Sequence, residues 1–92
     1  MSAQLFQVTI GSATTQFIAT DTPAKQIIIQ NNASHACRVG DSSTSSTKGI
    51  YLAPGPGGGS VSLGSLNSYS LNLDAIWVNG TQNDVIDALV IS

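Results

Sequence analysis

Short apolar runs separated by clusters of turn-forming residues are the feature that most constrains the fold of this chain. Apolar and polar residues alternate within several runs, such as residues 6–10 and 60–63, and period-two alternation is typical of strands with one buried face. Turn signals rich in Gly, Pro, Asn and Asp recur roughly every ten residues. No segment sustains the helical period of about 3.6 residues. We therefore expect an all-β fold.

The predicted strands occupy most of the chain. They cover residues 6–10, 15–19, 25–30, 36–39, 50–52, 61–63, 69–73, 76–78 and 85–91. A succession of about eight short strands predicts one β domain over residues 1–92, built as a β-sandwich or a jelly-roll-like barrel. Asn79-Gly80, which follows residues 76–78, is the strongest hairpin signal in the chain.

The chain is short for a domain that folds alone. A 92-residue chain buries only a modest core, and proteins of this size commonly recruit disulfides, a metal or oligomerisation as support. The single cysteine, Cys37, cannot form an intrachain disulfide, and with the single histidine, His35, it cannot complete a His/Cys zinc set. We therefore predict a homo-oligomer.

Two predicted strands, residues 27–29 and 88–91, are apolar on both faces. A strand of a two-layer fold should bury one face and expose the other, so each of these strands needs a second cover. The cover is either a loop or another subunit, and the low charge of the chain favours a subunit. The predicted oligomer interface consists of Ile27, Ile28, Ile29, Leu89, Val90 and Ile91.

Charged side chains are scarce. They make up 9% of the residues, against roughly 25% in typical soluble domains. Such a surface repels neighbours weakly and suits a protein that is docked against others, although a secreted domain with a neutral polar surface is an alternative. Three scattered bases, Lys25, Arg38 and Lys48, argue against a nucleic-acid partner. No apolar run approaches the roughly 20 residues that span a membrane.

The sequence contains no group of residues typical of catalysis or of cofactor binding. His35 is the only histidine, and a general base needs both an orienting partner and a reactant within reach. Asp84 and Asp87 lack the spacing of a calcium loop. The glycine-rich residues 55–60 lack the Lys and following helix of a phosphate loop, so we interpret them as a connection that passes close to other backbone. We predict no enzyme activity, no cofactor and no metal.

Two polar loops and Trp77 are the candidate contacts with a partner. Residues 42–47 are all Ser or Thr, and residues 54–59 are all Pro or Gly. Ordering a loop costs about 1–2 kcal/mol per residue, so we expect both to stay mobile until a partner holds them. Trp77 faces a partner or ligand if Ile76 and Val78 are core, and is itself core otherwise. The predicted contact residues are Ser42, Ser45, Thr47, Pro54, Pro56, Gly58 and Trp77.

Four segments, spread over residues 26–91, form a combined pattern. They are Ile28-Ile29-Gln30-Asn31-Asn32, Val39-Gly40-Asp41-Ser42-Ser43, Gly49-Ile50-Tyr51-Leu52-Ala53-Pro54-Gly55, and Ala75-Ile76-Trp77-Val78-Asn79-Gly80 followed by Asp84-Val85 and Val90. The pattern resembles small β-sandwich proteins of tailed bacteriophages, which include capsid cement (decoration) proteins.

This resemblance implies a structural role without catalytic residues. A cement protein binds where capsid subunits meet, often as a trimer at three-fold positions, and stabilises the shell because it binds the assembled lattice. The resemblance thus implies a homotrimer, the major capsid protein as partner, and the capsid surface as location. Residues 1–4 lack the regions of a signal peptide, so we expect synthesis in the host cytoplasm. A carbohydrate- or receptor-binding module of a phage head fibre or tail is the alternative function.

Overall fold

The chain is all-β in a computed structural model that describes residues 2–19, 21–67 and 71–92. This confirms the prediction that the chain is all-β. The strands of the described residues are β1 (Ala3–Thr9), β2 (Thr15–Gln16), β3 (Pro23–Ala24), β4 (Gln26–Gln30), β5 (Cys37–Gly40), β6 (Ile50–Leu52), β7 (Ser60–Gly64), β8 (Leu71–Asn72), β9 (Trp77–Asn79) and β10 (Val85–Ile91). A short 3-10 turn, Leu73–Ala75, precedes β9. Tyr69, which starts one predicted strand, lies outside the described residues.

The strands form two four-stranded sheets and one two-stranded sheet, all with antiparallel pairing. Sheet I has the order β1-β10-β4-β7, sheet II has the order β2-β9-β5-β6, and β3 pairs with β8. The two ends of the chain meet in sheet I, where Ser2 and Ser92 exchange backbone hydrogen bonds of 2.7 and 2.9 Å. No helix in the described part of the chain is long and apolar enough to cross a bilayer.

One hydrophobic core receives side chains from both four-stranded sheets. Sheet I contributes Val8, Ile27, Ile29, Ile86, Ala88 and Val90, and sheet II contributes Cys37, Val39, Leu52 and Val78. The rings of Phe6 and Phe17 meet edge to face, with their centroids 6.1 Å apart. Burial of these side chains provides the main driving force for folding.

Strand alternation divides the predicted oligomer interface into two sets. Ile27, Ile29 and Val90 point into the core and are buried. They cannot contact a second subunit, so the prediction is wrong for these three residues. Ile28, Leu89 and Ile91 alternate with them along β4 and β10, and therefore face away from the core.

The predicted hairpin at Asn79-Gly80 is also wrong. β9 belongs to sheet II and β10 to sheet I, so their connection crosses between sheets. A Cβ on Gly80 would lie 2.9 Å from Cδ1 of Ile10 and 3.0 Å from Cβ of Cys37. The glycine therefore serves close packing rather than a two-residue turn. The chain reverses further on, where Asn83 adopts a φ of 75° and its backbone N–H donates to the Ile10 carbonyl.

The buried Asn31 joins the ends of β4, β5 and β6. Its side chain has no exposed surface. Its amide nitrogen donates to the carbonyls of His35 (2.9 Å) and Leu52 (3.2 Å), and its Oδ1 accepts from the Ala33 N–H (2.9 Å). All the hydrogen-bonding groups of this amide are thus used inside the chain, which is the condition for burying it without a large cost.

The Pro/Gly loop, residues 54–59, lies against the backbone that follows β4. The N–H groups of Gly58 and Gly55 donate to the carbonyls of Asn31 (3.2 Å) and Ala33 (2.8 Å). A Cβ on Gly55 would lie 2.7 Å from the Asn31 carbonyl oxygen. The close approach to other backbone is therefore confirmed. The loop thus has partners within the chain, and its ordering by a second protein stays a prediction.

We predict that Asn31→Asp lowers the free energy of unfolding by about 3–5 kcal/mol at pH 7, the usual cost of an uncompensated buried charge. The new carboxylate would face two carbonyl oxygens and lose both donors. Its folded pKa would rise, so the loss should shrink as the pH falls towards the unfolded value of about 3.9. Urea unfolding at pH 7 and pH 4 measures this. Asn67→Asp, at an exposed position, is the control and should change stability by less than about 0.5 kcal/mol.

Candidate interaction surfaces

The face of sheet I turned away from the core carries a row of apolar side chains. Leu5, Leu89 and Ile28 lie directly opposite one another across β1, β10 and β4. Leu5 is 78% exposed and Ile28 is 36% exposed, and Ile91 lies two residues beyond Leu89 on the same face of β10. These four residues are called the apolar stripe below. Contiguous apolar surface of this kind is typical of a site that another protein covers.

Hydrogen-bonded polar side chains border the apolar stripe on both sides. Asn32 and Gln7 each donate to the carboxylate of Asp87, both at 2.7 Å, and these two bonds lower the pKa of that carboxyl group. On the other side, Gln26 donates to the hydroxyl of Ser62 at 2.6 Å. These bonds let a partner cover the stripe without leaving these groups unpaired.

The outward face of sheet II carries an open groove of about 310 Å³ beside Arg38. The guanidinium group donates to the carbonyl of Ser46 (Nε, 3.2 Å) and to that of Gly49 (Nη1, 3.0 Å). It also lies over the ring of Tyr51, 5.5 Å from the centroid. Three anchors therefore hold the cation of Arg38 in place at the edge of the groove.

The Ser/Thr loop, residues 42–47, folds against sheet II. Thr44 is buried, and its hydroxyl and its N–H both donate to the Asp41 carbonyl, at 2.6 and 3.0 Å. The Asp41 carboxylate accepts from the hydroxyl and the N–H of Ser43, and both bonds lower the pKa of Asp41. These local hydrogen bonds, with the one from Arg38 to Ser46, define the conformation of the loop within the chain.

The predicted contact residues do not form one continuous surface. Ser42, Thr47, Pro54 and Pro56 are exposed, and Ser45, Gly58 and Trp77 are half-buried. The Ser/Thr loop leads into β6 and the Pro/Gly loop leads out of it, so the two loops lie at opposite ends of that strand. Trp77 pairs with Gly40, two residues before the Ser/Thr loop. Because Ile76 and Val78 are buried, Trp77 faces away from the core, which is the first of the two alternatives that the sequence left open.

His35 and Asp84 form a surface pair close to Cys37. His35 Nδ1 lies 3.0 Å from Asp84 Oδ2, and the histidine side chain is 57% exposed. Burial and the charge of Asp84 raise the pKa of Cys37 to about 11, so its thiol stays protonated at neutral pH and lacks the reactivity of a thiolate. Within the described ranges, no cluster of three His, Cys, Asp or Glu side chains is arranged to hold a metal ion.

Two parts of these surfaces were not identified from the sequence. Leu5 was omitted because the first predicted strand began at Phe6, yet the adjacent apolar pair Leu5-Phe6 shows the same two-sided pattern as residues 27–29. Arg38 was noted only as a scattered base. Its position between Cys37 and Val39, in a strand whose neighbours are apolar, was the available signal that it faces outward.

We predict that Asp87→Asn alters the response of stability to acid. The lowered pKa of Asp87 means that its contribution is present above the unfolded value of about 3.9 and is lost as the pH falls through the folded value. The substitution should remove the part of the acid-induced loss of stability that is due to Asp87. At pH 7 it should lower the free energy of unfolding by at most about 1 kcal/mol, because solvent screens the group. Thermal unfolding from pH 7 to pH 2 measures both effects. Asp74→Asn is the control, because it leaves the hydrogen bonds of Asp87 with Asn32 and Gln7 in place. Its stability should fall with pH as that of the wild type does.

The comparisons with known proteins identify no relative that bears on either surface. No protein-family model matches the chain, and no curated protein and no solved structure matches it.

Proposed function

We propose that this chain is a structural protein of a phage virion, a cement or decoration subunit that binds the assembled head as a homotrimer. The observation that carries the proposal is the apolar stripe on the outward face of sheet I in a chain with 9% charged residues. The resemblance of four sequence segments to phage cement proteins supports the capsid as the partner.

The apolar stripe supports self-association. Leu5 leaves 78% of its surface in water, and complete burial of a Leu or Ile side chain contributes about 1.5–3 kcal/mol. In a trimer, the stripes lie around a common axis and each contacts two neighbours. Asp87 carries the only charge among the outward residues of sheet I in the described strands, so such an interface needs little desolvation of charge.

The proposed architecture leaves a second surface free for the capsid. We take sheets I and II as the two layers of a β-sandwich, supported by the single core that they share. Their outward faces then lie on opposite sides of the domain. If sheet I forms the trimer contacts, then sheet II, with Trp77 and the Ser/Thr loop, remains available to the major capsid protein. Loops that already have a defined shape lose less entropy when they bind.

A carbohydrate- or receptor-binding module of a head fibre or tail is the second candidate. The groove beside Arg38 favours it, since it combines a fixed cation with Tyr51, which is 57% exposed. Small-molecule sites typically combine an aromatic surface with a few well-placed polar groups.

We predict that Ile28→Asp dissociates the trimer while the monomer stays folded. A carboxylate in the middle of the apolar stripe would be buried without a partner on assembly, at a cost of several kcal/mol. In the monomer, Ile28 is 36% exposed and the charge can reach water. Sedimentation velocity gives the mass, and circular dichroism reports the fold. Ile50→Asp is the matched control, because Ile50 is 49% exposed on an edge strand of sheet II. A wild-type monomer at micromolar concentration would contradict the prediction.

The capsid assay tests the function itself. Expanded capsids, with and without the added protein, are heated, and the temperature of DNA release is recorded. We expect the protein to raise that temperature, and Trp77→Ala to weaken binding to capsids without changing the mass of the trimer. Release at the same temperature in both samples, together with binding to a glycan array, would replace the cement proposal with the second candidate.

A further inference from the structure

The guanidinium group of Arg38 is a fixed positive charge without a counter-ion among the described residues. The carboxylate of Asp84 instead lies beside His35, 3.0 Å from its Nδ1. The described hydrogen bonds of Arg38 go to neutral backbone carbonyls, those of Ser46 and Gly49. These bonds occupy Nε and one hydrogen of Nη1, and so leave the Nη2 donors for another acceptor.

The unused donors of Arg38 favour a carboxylate as the acceptor. The guanidinium group matches the two oxygens of a carboxylate, and charge-assisted hydrogen bonds are about twice as strong as neutral ones. The carbonyls and the Tyr51 ring already fix the side chain, so binding costs little rotamer entropy. A role in anchoring the Ser/Thr loop accounts for the two carbonyl bonds, but it leaves the charge itself unmatched.

The remaining groups of the groove indicate what carries the carboxylate. Asn79 donates through Nδ2 to Thr14 at 3.1 Å, which leaves its Oδ1 as an acceptor, and Thr81 adds a hydroxyl. Tyr51 supplies an exposed ring against which the C–H face of a sugar can pack. The volume of about 310 Å³ is at the lower end of small-molecule sites, which suits one or two sugar rings.

We propose that this groove binds an acidic carbohydrate, with the sugar carboxylate on Arg38, its hydroxyls on Asn79 and Thr81, and its ring against Tyr51. This deepens the second candidate function and rests on it. Trimer assembly is independent of it, because it uses the opposite sheet in the proposed architecture, whereas capsid binding would use the same face as the groove. An acidic peptide offers a carboxylate too, but it lacks the hydroxyls that the amide and hydroxyl of the groove would bind.

The test is an NMR titration of the ¹⁵N-labelled full-length chain with 3′-sialyllactose and with trigalacturonate. Lactose is the neutral probe, and a Glu-containing tripeptide is the peptide probe. We expect at least one acidic sugar to shift the amide signals of Gly80 and Thr81, with roughly tenfold or greater preference over lactose. Arg38→Gln should weaken acidic-sugar binding roughly tenfold to hundredfold and leave any lactose binding unchanged.

Two further variants separate recognition from folding. Lys48→Gln also removes one positive charge, but Lys48 does not line the groove. It should change the affinity for the acidic sugar by less than about twofold. Tyr51→Ala retains Arg38 but removes the ring, and should weaken binding roughly tenfold. The ¹⁵N spectra of all variants report whether the Ser/Thr loop keeps its conformation.

Three results would overturn the proposal. They are equal binding of acidic and neutral sugars, unchanged acidic-sugar affinity in a folded Arg38→Gln variant, or tighter binding of the peptide than of either acidic sugar. The proposal is also overturned if neither acidic sugar binds at about 10 mM, the highest concentration of the titration. Neutral-sugar binding in the groove would retain the second candidate function while rejecting the acidic ligand, and capsid stabilisation is scored separately.

Discussion

The hydrogen bonds of Asn31 hold together the place where the two main sheets meet. Its buried amide bonds to Ala33, His35 and Leu52, which lie after β4, before β5 and at the end of β6. In a short chain without an intrachain disulfide, a buried amide whose hydrogen bonds are all made can specify how strands connect. The free-energy cost of burying it is small, whereas an amide without these bonds would destabilise the fold. The Pro/Gly loop then packs on the same backbone. This junction links β4 of sheet I to β5 and β6 of sheet II.

A chain of this length has enough apolar side chains to fill one core and to leave some outside it. Sheet I illustrates the consequence: Ile27 and Ile29 fill the core, and Ile28 between them faces water. The polar neighbours of the stripe already have partners, so it is prepared for burial. Sheet II has a different outward face, with a fixed cation and an exposed ring. The two faces therefore suit different contacts, apolar packing on one and polar recognition on the other.

The positions of most strands could be predicted from the sequence, because period-two alternation and turn residues act locally. The short β3, at Pro23–Ala24, has no counterpart among the predicted strands. The pairing of strands could not, since Asn79-Gly80 has the composition of a hairpin turn while Gly80 is required by packing against Ile10. The sequence shows that residues 27–29 and 88–91 are apolar on both faces, but the register of strand pairing decides which face points away from the core. Arg38 was not recognised as a site because its neighbours in the groove, such as Tyr51 and Thr81, are distant in sequence. The contacts of the Pro/Gly loop with Asn31 and Ala33 could not be predicted either, because they join backbone groups.

The central claim is that another copy of this chain covers the apolar stripe in solution. Methyl NMR with a soluble paramagnetic agent tests it on the wild-type protein, since the agent broadens signals in proportion to their exposure. We expect the methyl groups of Leu5, Ile28 and Leu89 to be protected at high protein concentration and to become accessible on dilution, while those of Ile50 stay accessible throughout. Stripe methyl groups that remain as accessible as those of Ile50 at every concentration would contradict the claim.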